Sequence, residues 1–243
     1  YDSPIQPIQQ TAQYKDHYHF IHSIKAENSR QDIYNSATVI EAIQDDQRVL
    51  GLAPKLTTPV FYNDGTIDIT GVLNGIDVDA ESRLFHFKDY VTSGSAIDIK
   101  RVSNSIILGR PLANKLFVNV GDKVVVITPS GDRFSLKVVG FFESGILEFD
   151  KTLGFASLAT TQKIMGKPNN YLTDIQVKLH DIDAAPAVAK EFAQKFGTQA
   201  EDIQTANAQF ETGSNIRTLI SYSVGITLLI VAGFGIYNIL NMM

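Results

Sequence analysis

The chain contains no cysteine. Disulfides, zinc–thiolate sites, iron–sulfur clusters and thiol nucleophiles are excluded together, and nothing in the chain would mispair in an oxidising compartment. An excess of positive charge is also lacking: 21 Lys and Arg stand against 26 Asp and Glu, a formal net charge of −5. Nucleic-acid surfaces need clustered cations that displace counterions from phosphates, so that class is set aside. No GxxxxGK[ST] stretch occurs, since Gly166-Lys167 is followed by Pro168 and lacks the upstream glycine; a phosphate has no cradle here. GxSxG is absent too, and Ser93-Gly94-Ser95 reads as a turn. The start carries no basic stretch followed by an apolar one, so a signal peptide is not expected within it, and export would rest on a preceding segment. The chain opens at Tyr1 and closes inside an apolar run, the pattern expected of a piece of a longer protein.

What is present is enough chain for a core. With 243 residues and 44% hydrophobic composition, one large domain or two small ones are allowed. Residues 218–243 carry no charged side chain, and 219–240 read LISYSVGITLLIVAGFGIYNIL. At about 1.5 Å per residue, ~20 apolar residues cross the hydrocarbon layer, so a transmembrane helix is expected over 218–243. A buried core helix is the alternative. Ser221, Gly225 and Gly233 remove side-chain bulk, and Asn238 would seek a polar partner in lipid, so these four are expected to pack against other helices. A single anchor with incidental glycines is the competing reading.

Two stretches share a strand, helix, strand order. In the first, 19–25 alternates as a strand, Ile33, Ala37, Ile40 and Ile43 recur at helical spacing, and 48–53 forms a short strand before Pro54. In the second, 174–179 alternates, and Val188, Phe192 and Phe196 follow at i, i+4, i+8 between Pro186 and Gly197. Between them lie hairpin signals: Asn63-Asp64-Gly65 joins 58–62 to 66–74, and Pro129-Ser130-Gly131-Asp132 joins 124–128 to 134–142. A short helix is expected over 111–117, with Leu112 and Leu116 paired. The fold class is therefore α+β and two-lobed. Residues 1–59 plus 171–217 make an α+β lobe of two strand–helix–strand units, 60–170 make an inserted β-rich lobe, and 218–243 the membrane helix.

The segment ESGILEFD differs from these fold-making stretches. Glu143, Ser144, Gly145, Ile146, Glu148, Phe149 and Asp150 mix acidic and apolar side chains in a predicted loop. Such loops are candidate partner-contact surfaces, and a solvated turn with buried apolar anchors is the alternative.

The strings SIILGRPLANKLFVNVGDKVVVITPSG at 105–131 and FSLKVVGFFESGILEFDKTLGFASLATTQKIMG at 134–166 resemble the periplasmic core of lipoprotein-releasing LolC/LolE-type permeases and their MacB- and FtsX-like relatives. Upstream, GVLNGIDVDAES at 71–82 is similar to the family's Gly-Ile-Asp strand, and the run from Phe210 onward resembles the junction into its second membrane helix. The resemblance implies an ABC transporter permease with four membrane helices and this domain between the first two. Its implied partners are a separate or fused cytoplasmic ATP-binding subunit, a second permease subunit in a homo- or heterodimer, the lipid bilayer, and an apolar cargo such as lipoproteins. It places 1–217 in the periplasm and the helix in the bacterial inner membrane. The implied role is coupling ATP-driven motion to release or extrusion, without covalent chemistry, catalytic residues, cofactor or metal. In relatives that engage a periplasmic carrier, a Pro-containing loop extends between the strands matching 124–128 and 134–142; here only residues 129–133 connect them, too few to project far.

Rival constellations are thin. His17, His19 and His22 cluster, but alternation would split them between faces, and a metal needs convergent ligands. Asp77, Asp79 and Glu81 alternate like a calcium loop without its glycine and terminal glutamate. A membrane-tethered hydrolase has no motif to gather its scattered Ser, His and Asp residues. The principal alternative function is a membrane-anchored solute- or peptide-binding receptor domain.

Overall fold

The structure is a computed structural model that describes residues 6–7, 20–21, 32–65, 67–205, 221–232 and 241. In chain order its elements are β1 (Gln6–Pro7), β2 (Phe20–Ile21), α1 (Ser36–Gln44), β3 (Val49–Asn63), β4 (Asp68–Ile76), α2 (Val78–Phe85), β5 (Val91–Gly94), α3 (Asp98–Arg101), β6 (Ser105–Gly109), α4 (Arg110–Lys115), β7 (Lys123–Ile127), β8 (Arg133–Phe142), α5 (Leu147–Asp150), β9 (Leu153–Ser157), α6 (Leu158–Ile164), β10 (Asp174–Leu179) and α7 (Ala185–Phe196). A 3₁₀ turn, Phe87–Tyr90, leads into β5. The chain separates into two compact units, residues 1–178 and 179–243.

An eight-stranded sheet organises the first unit. Its strands run β10-β3-β4-β9-β6-β8-β5, and β7 pairs with both β3 and β8. That second pairing closes a circuit: β3 to β4, β4 to β9, β9 to β6, β6 to β8, β8 to β7, and β7 back to β3. Closure removes the open edges these six strands would otherwise expose. Alternation along the strands then sends side chains to two faces. Val60, Tyr62, Leu73, Ile106, Leu108, Val124, Val126, Leu136 and Val138 go to one cluster, which α4 completes with Leu112 and Leu116. Ile76, Ile107, Val139 and Phe142 go to the other, with Val78, Phe87, Ala96 and Ile99.

Tyr62 is fully buried in the first cluster, and its hydroxyl donates to the Val72 carbonyl at 2.8 Å. Burial pushes the ionisation of that phenol above its ordinary value. The ring leaves no room at Gly154, where a Cβ would stand 2.6 Å from the Tyr62 hydroxyl oxygen.

Both expected hairpins form. β3 and β4 pair antiparallel as far as Asn63 opposite Asp68, and β7 and β8 pair as far as Ile127 opposite Arg133. A helix forms at each helical signal, but in α1 only Ile43 of the spaced residues is buried: Ile33 lies ahead of the helix, Ala37 is exposed, Ile40 is half-buried, and Val39 takes the other core position; α4 buries Leu112, and Leu116 is buried just past its end. Strand 174–179 is β10. Of the strand expected over 19–25, Phe20–Ile21 pairs with Gln6–Pro7 in a separate two-stranded sheet; the rest, with His17, His19 and His22, lies outside the described residues.

The sheet does not stop at the expected lobe boundary. Pro54 and Pro59 were expected to punctuate the chain, yet β3 runs unbroken through both, and one sheet takes strands from either side of Pro59. Proline removes only an N–H, which matters where that N–H is needed by a neighbouring strand. Pro59 stands opposite Val72, whose own N–H turns the other way, to the Thr152 carbonyl at 2.9 Å. This is a pair that does not exchange backbone bonds, so the missing donor costs nothing.

The second unit holds α7, which begins with Pro at its first turn and ends at Gly197 in the left-handed region, with Val188 and Phe192 buried. Residues 221–232 are helical and exposed, Tyr222 at 68% and Leu229 at 76%. Among the described residues no helix is long and apolar enough to cross a membrane. Ser221 and Gly225 lie in the described helical stretch, and Gly233 and Asn238 outside the described residues.

Candidate partner-contact site

The segment after β8 is a built turn. Glu143 extends the pairing to the neighbouring strand by donating its N–H to the Tyr90 carbonyl at 2.9 Å. The chain then reverses at Gly145, whose φ of 86° is open to glycine at little cost. One helical turn, α5, follows, with Asp150 N–H on the Ile146 carbonyl at 3.1 Å and Lys151 N–H on the Leu147 carbonyl at 3.0 Å.

Asp150 holds this turn shut. It is 4% exposed, and its Oδ1 accepts the Ser144 N–H at 2.9 Å and the Ser144 Oγ–H at 2.7 Å. The Ser144 Oγ in turn accepts the Ile146 N–H at 3.2 Å. Buried carboxylates need such partners, because an uncompensated one costs several kcal/mol. From below, Gly109 at the end of β6 lies so near that an added Cβ would meet the Asp150 backbone. Asp150 and Ser144 were expected among the contact residues. The structure corrects the assignment of Asp150: its carboxylate is spent inside the turn. Ser144 likewise turns its hydroxyl inward.

What the clamp presents outward is apolar. Ile146 is 50%, Leu147 55% and Phe149 43% exposed. The acids beside them have cationic neighbours: Glu148 Oε1 lies 3.0 Å from Lys151 Nζ, and Glu143 Oε1 lies 3.6 Å from Arg110 Nε. Such surface pairs add little stability, but they leave an apolar cap flanked by neutralised charge. Sequence reasoning missed Arg110, which stands just ahead of the helix expected over 111–117. Its Nη2 donates to Ser93 Oγ at 2.6 Å, and its guanidinium carbon sits 4.5 Å from the centre of the Phe141 ring. It thereby ties the ends of β5 and β8 to the base of the turn.

The second hairpin is short in space as in sequence. Thr128 N–H donates to the Asp132 carbonyl at 2.9 Å, Gly131 N–H to the Thr128 carbonyl at 2.9 Å, and Asp132 N–H to Thr128 Oγ1 at 3.2 Å. At the calcium-like stretch, Asp77 instead caps α2, accepting from the Asp79 and Ala80 N–H groups at 3.0 and 3.2 Å, and Asp79 pairs with Lys100. Among the described residues no group of three His, Asp or Glu could hold a metal ion.

The domain is thus a closed strand circuit that carries a clamped turn with an exposed apolar cap. Residues 8–195 match the model of the MacB-like periplasmic core domain, and the chain belongs to that family. It is 28% identical over 207 residues to the lipoprotein-releasing system transmembrane protein LolC of Xylella fastidiosa, covering 81% of this chain and 49% of that one. The LolC protein of Neisseria meningitidis serogroup B is 25% identical, with 80% and 49% covered. The chain thus spans about half the length of the curated relatives it matches. Among solved structures, the extracellular domain of the noncanonical ABC-type transporter YknZ from Gram-positive bacteria has a TM-score of 0.50 at 15% identity, covering 70% of this chain and 87% of that one. The periplasmic region of MacB from Actinobacillus actinomycetemcomitans has a TM-score of 0.50 at 14% identity, covering 72% and 82%. These likenesses show a shared fold.

Proposed function

We propose that the chain is the extracytoplasmic domain of an ABC transporter permease that couples cytoplasmic ATP hydrolysis to the release of lipoproteins from the bacterial inner membrane. The observation that carries this reading is the family match over residues 8–195, taken with relatives named as lipoprotein-releasing transmembrane proteins. On this reading residues 1–217 face the periplasm and 218–243 cross the bilayer. The exposed apolar side chains around the helical stretch 221–232 support that, because a helix apolar on all sides needs cover by lipid or by other helices. Ser221, Gly225, Gly233 and Asn238 then pack against the permease's remaining helices. A cytoplasmic ATP-binding subunit and a second permease subunit complete the machine, and the domain itself performs no covalent chemistry.

Ile146, Leu147 and Phe149, with Glu143 and Glu148 at their rim, form the surface that meets a partner subunit or a lipoprotein carrier. The short 128–132 connection does not. A photocrosslinking scan in cells separates the two: crosslinks from Ile146 or Phe149 are expected, and strong crosslinks from Ser130 or Asp132 to a soluble carrier would reverse the assignment. For the function, the parent protein is depleted in cells and the membranes are fractionated. Lipoproteins are expected to accumulate in the inner membrane, and an unchanged distribution would overturn the proposal.

A further inference from the structure

Glu81 belongs to α2, between Ala80 and Leu84, which face the core, and is itself only 8% exposed. Among the described residues its carboxyl makes no hydrogen bond and no salt bridge. No fully occluded side-chain oxygen or nitrogen there lacks a partner, so the carboxyl must open onto space. That space is a pocket of about 240 Å³. Lys55, from β3, and Gln176, from β10, line the same pocket, and among the described residues their side chains have no hydrogen-bond partner either. Burial raises the Glu81 pKa, and the nearby Lys55 charge partly opposes that rise.

The remaining walls are aromatic: Phe85, Phe87, Tyr90 and Phe155. The Phe87 and Phe155 rings are already packed, with centroids 4.8 Å apart, so this wall is formed in advance of any ligand. A carboxylate beside aromatic rings suits an ammonium group, and rings add attraction to a cation over their faces. Lys55 would repel a simple cation, but it suits an anionic group on the same molecule. The volume is below the ~300–1,000 Å³ of drug-sized sites and suits a ligand of amino-acid size.

We propose that this pocket binds a small zwitterion with an apolar body, its ammonium on Glu81, its anionic group on Lys55 and Gln176, and its apolar part against Phe85, Phe87 and Phe155. A free apolar α-amino acid and the phosphoethanolamine headgroup of a phospholipid share this chemistry. None of residues 143–150 lines the pocket, although Tyr90 of its wall is bonded to Glu143 through the backbone, and the proposal does not depend on the transport function proposed above.

Isothermal titration of the full chain in uncharged detergent tests it, with L-phenylalanine and dihexanoylphosphatidylethanolamine as the two probes. Phenethylamine and dihexanoylphosphatidylglycerol serve as half-ligands that carry one charge each. At least one zwitterion binds, and its half-ligand binds about tenfold or more weakly, the scale of one lost charge-assisted hydrogen bond. Binding of phenylalanine alone identifies the free amino acid as the source, and of the lipid alone the headgroup; either supports the site. Glu81→Gln and Lys55→Met each lower the affinity about tenfold or more, while Asp132→Asn, far along the chain in the β7–β8 turn, leaves it unchanged. Circular dichroism melts check that each variant is folded, and Lys55→Met carries the test alone if Glu81→Gln is not. The proposal is overturned if neither zwitterion binds, if a half-ligand binds as well as its parent, or if the folded variants bind like the original chain.

Discussion

Removing the Asp150 carboxylate should open the 143–150 turn before it harms the sheet beneath. In the native turn Oδ1 takes two hydrogen bonds, from the N–H and the hydroxyl of Ser144, at a site 4% exposed. Hydrogen bonds to a charged group contribute ~1.5–3 kcal/mol each, and a donor at the rim of a turn recovers part of that from water, so Asp150→Ala should cost about 3 kcal/mol. Asp150→Asn keeps an acceptor oxygen and loses the charge, for a cost of about 1 kcal/mol. Ser144→Ala keeps the backbone bond to Asp150 but removes the hydroxyl bond and the acceptor of the Ile146 N–H, and should cost about 1–2 kcal/mol. Because the two residues share one interaction, the double variant should cost less than the sum of the singles, with a coupling of ~1–2 kcal/mol. Urea unfolding followed by circular dichroism gives the stabilities. Hydrogen exchange gives the location: the Ser144 and Ile146 amides should lose protection in Asp150→Ala while those of β6 and β9 keep theirs. A cost of Asp150→Ala below about 0.5 kcal/mol, or additive single substitutions, would refute the clamp, since a buried carboxylate with two real partners cannot be that cheap to remove.

Three further outcomes follow from buried groups. Glu81 has a folded-state pKa above its unfolded value, so its contribution to stability is fully present below the unfolded pKa and is lost as pH rises through the folded one; Glu81→Gln should therefore be more stable than the original chain at neutral pH, and thermal melts should show the advantage fading toward pH 4. Tyr62→Phe removes a buried hydroxyl and leaves the Val72 carbonyl without its 2.8 Å donor, which should lower stability by ~1–2 kcal/mol in urea titrations. Gly154→Ala would place a methyl 2.6 Å from the Tyr62 oxygen and 3.1 Å from Ile106 Cδ1, and overpacking of this kind should cost ~1–3 kcal/mol, an effect that Tyr62→Phe in the same chain should partly relieve.

The elements whose signals are local were legible in the sequence. Asn63-Asp64-Gly65 and residues 129–132 announce their hairpins, and the 3.6-residue spacing of Val188 and Phe192 announces α7. The closed strand circuit was not legible, because β4 with β9 and β6 with β8 are parallel pairs between distant segments, and no short-range pattern encodes them. Nor was the continuity of β3, since two prolines read as breaks unless the bonding of their partners is known. The 143–150 site was legible as composition and misread in detail. An Asp two residues past a Glu in a polar-looking loop resembles another surface acid, and only its partner Ser144, six residues back, shows it to be buried. Arg110 gave no signal, and Glu81 stood out only as part of a calcium-like alternation, because what they do depends on neighbours that the topology supplies.

The central claim is that this domain belongs to an ATP-driven permease. Purifying the full-length parent protein from native membranes, in mild detergent, and measuring the stoichiometry and ATPase activity of what comes with it tests that claim most directly. The account predicts an ATP-binding subunit or fused domain at one copy per permease subunit, and ATP hydrolysis by the assembly; a single-span protein that purifies alone and hydrolyses no ATP would contradict it and favour a membrane-anchored receptor.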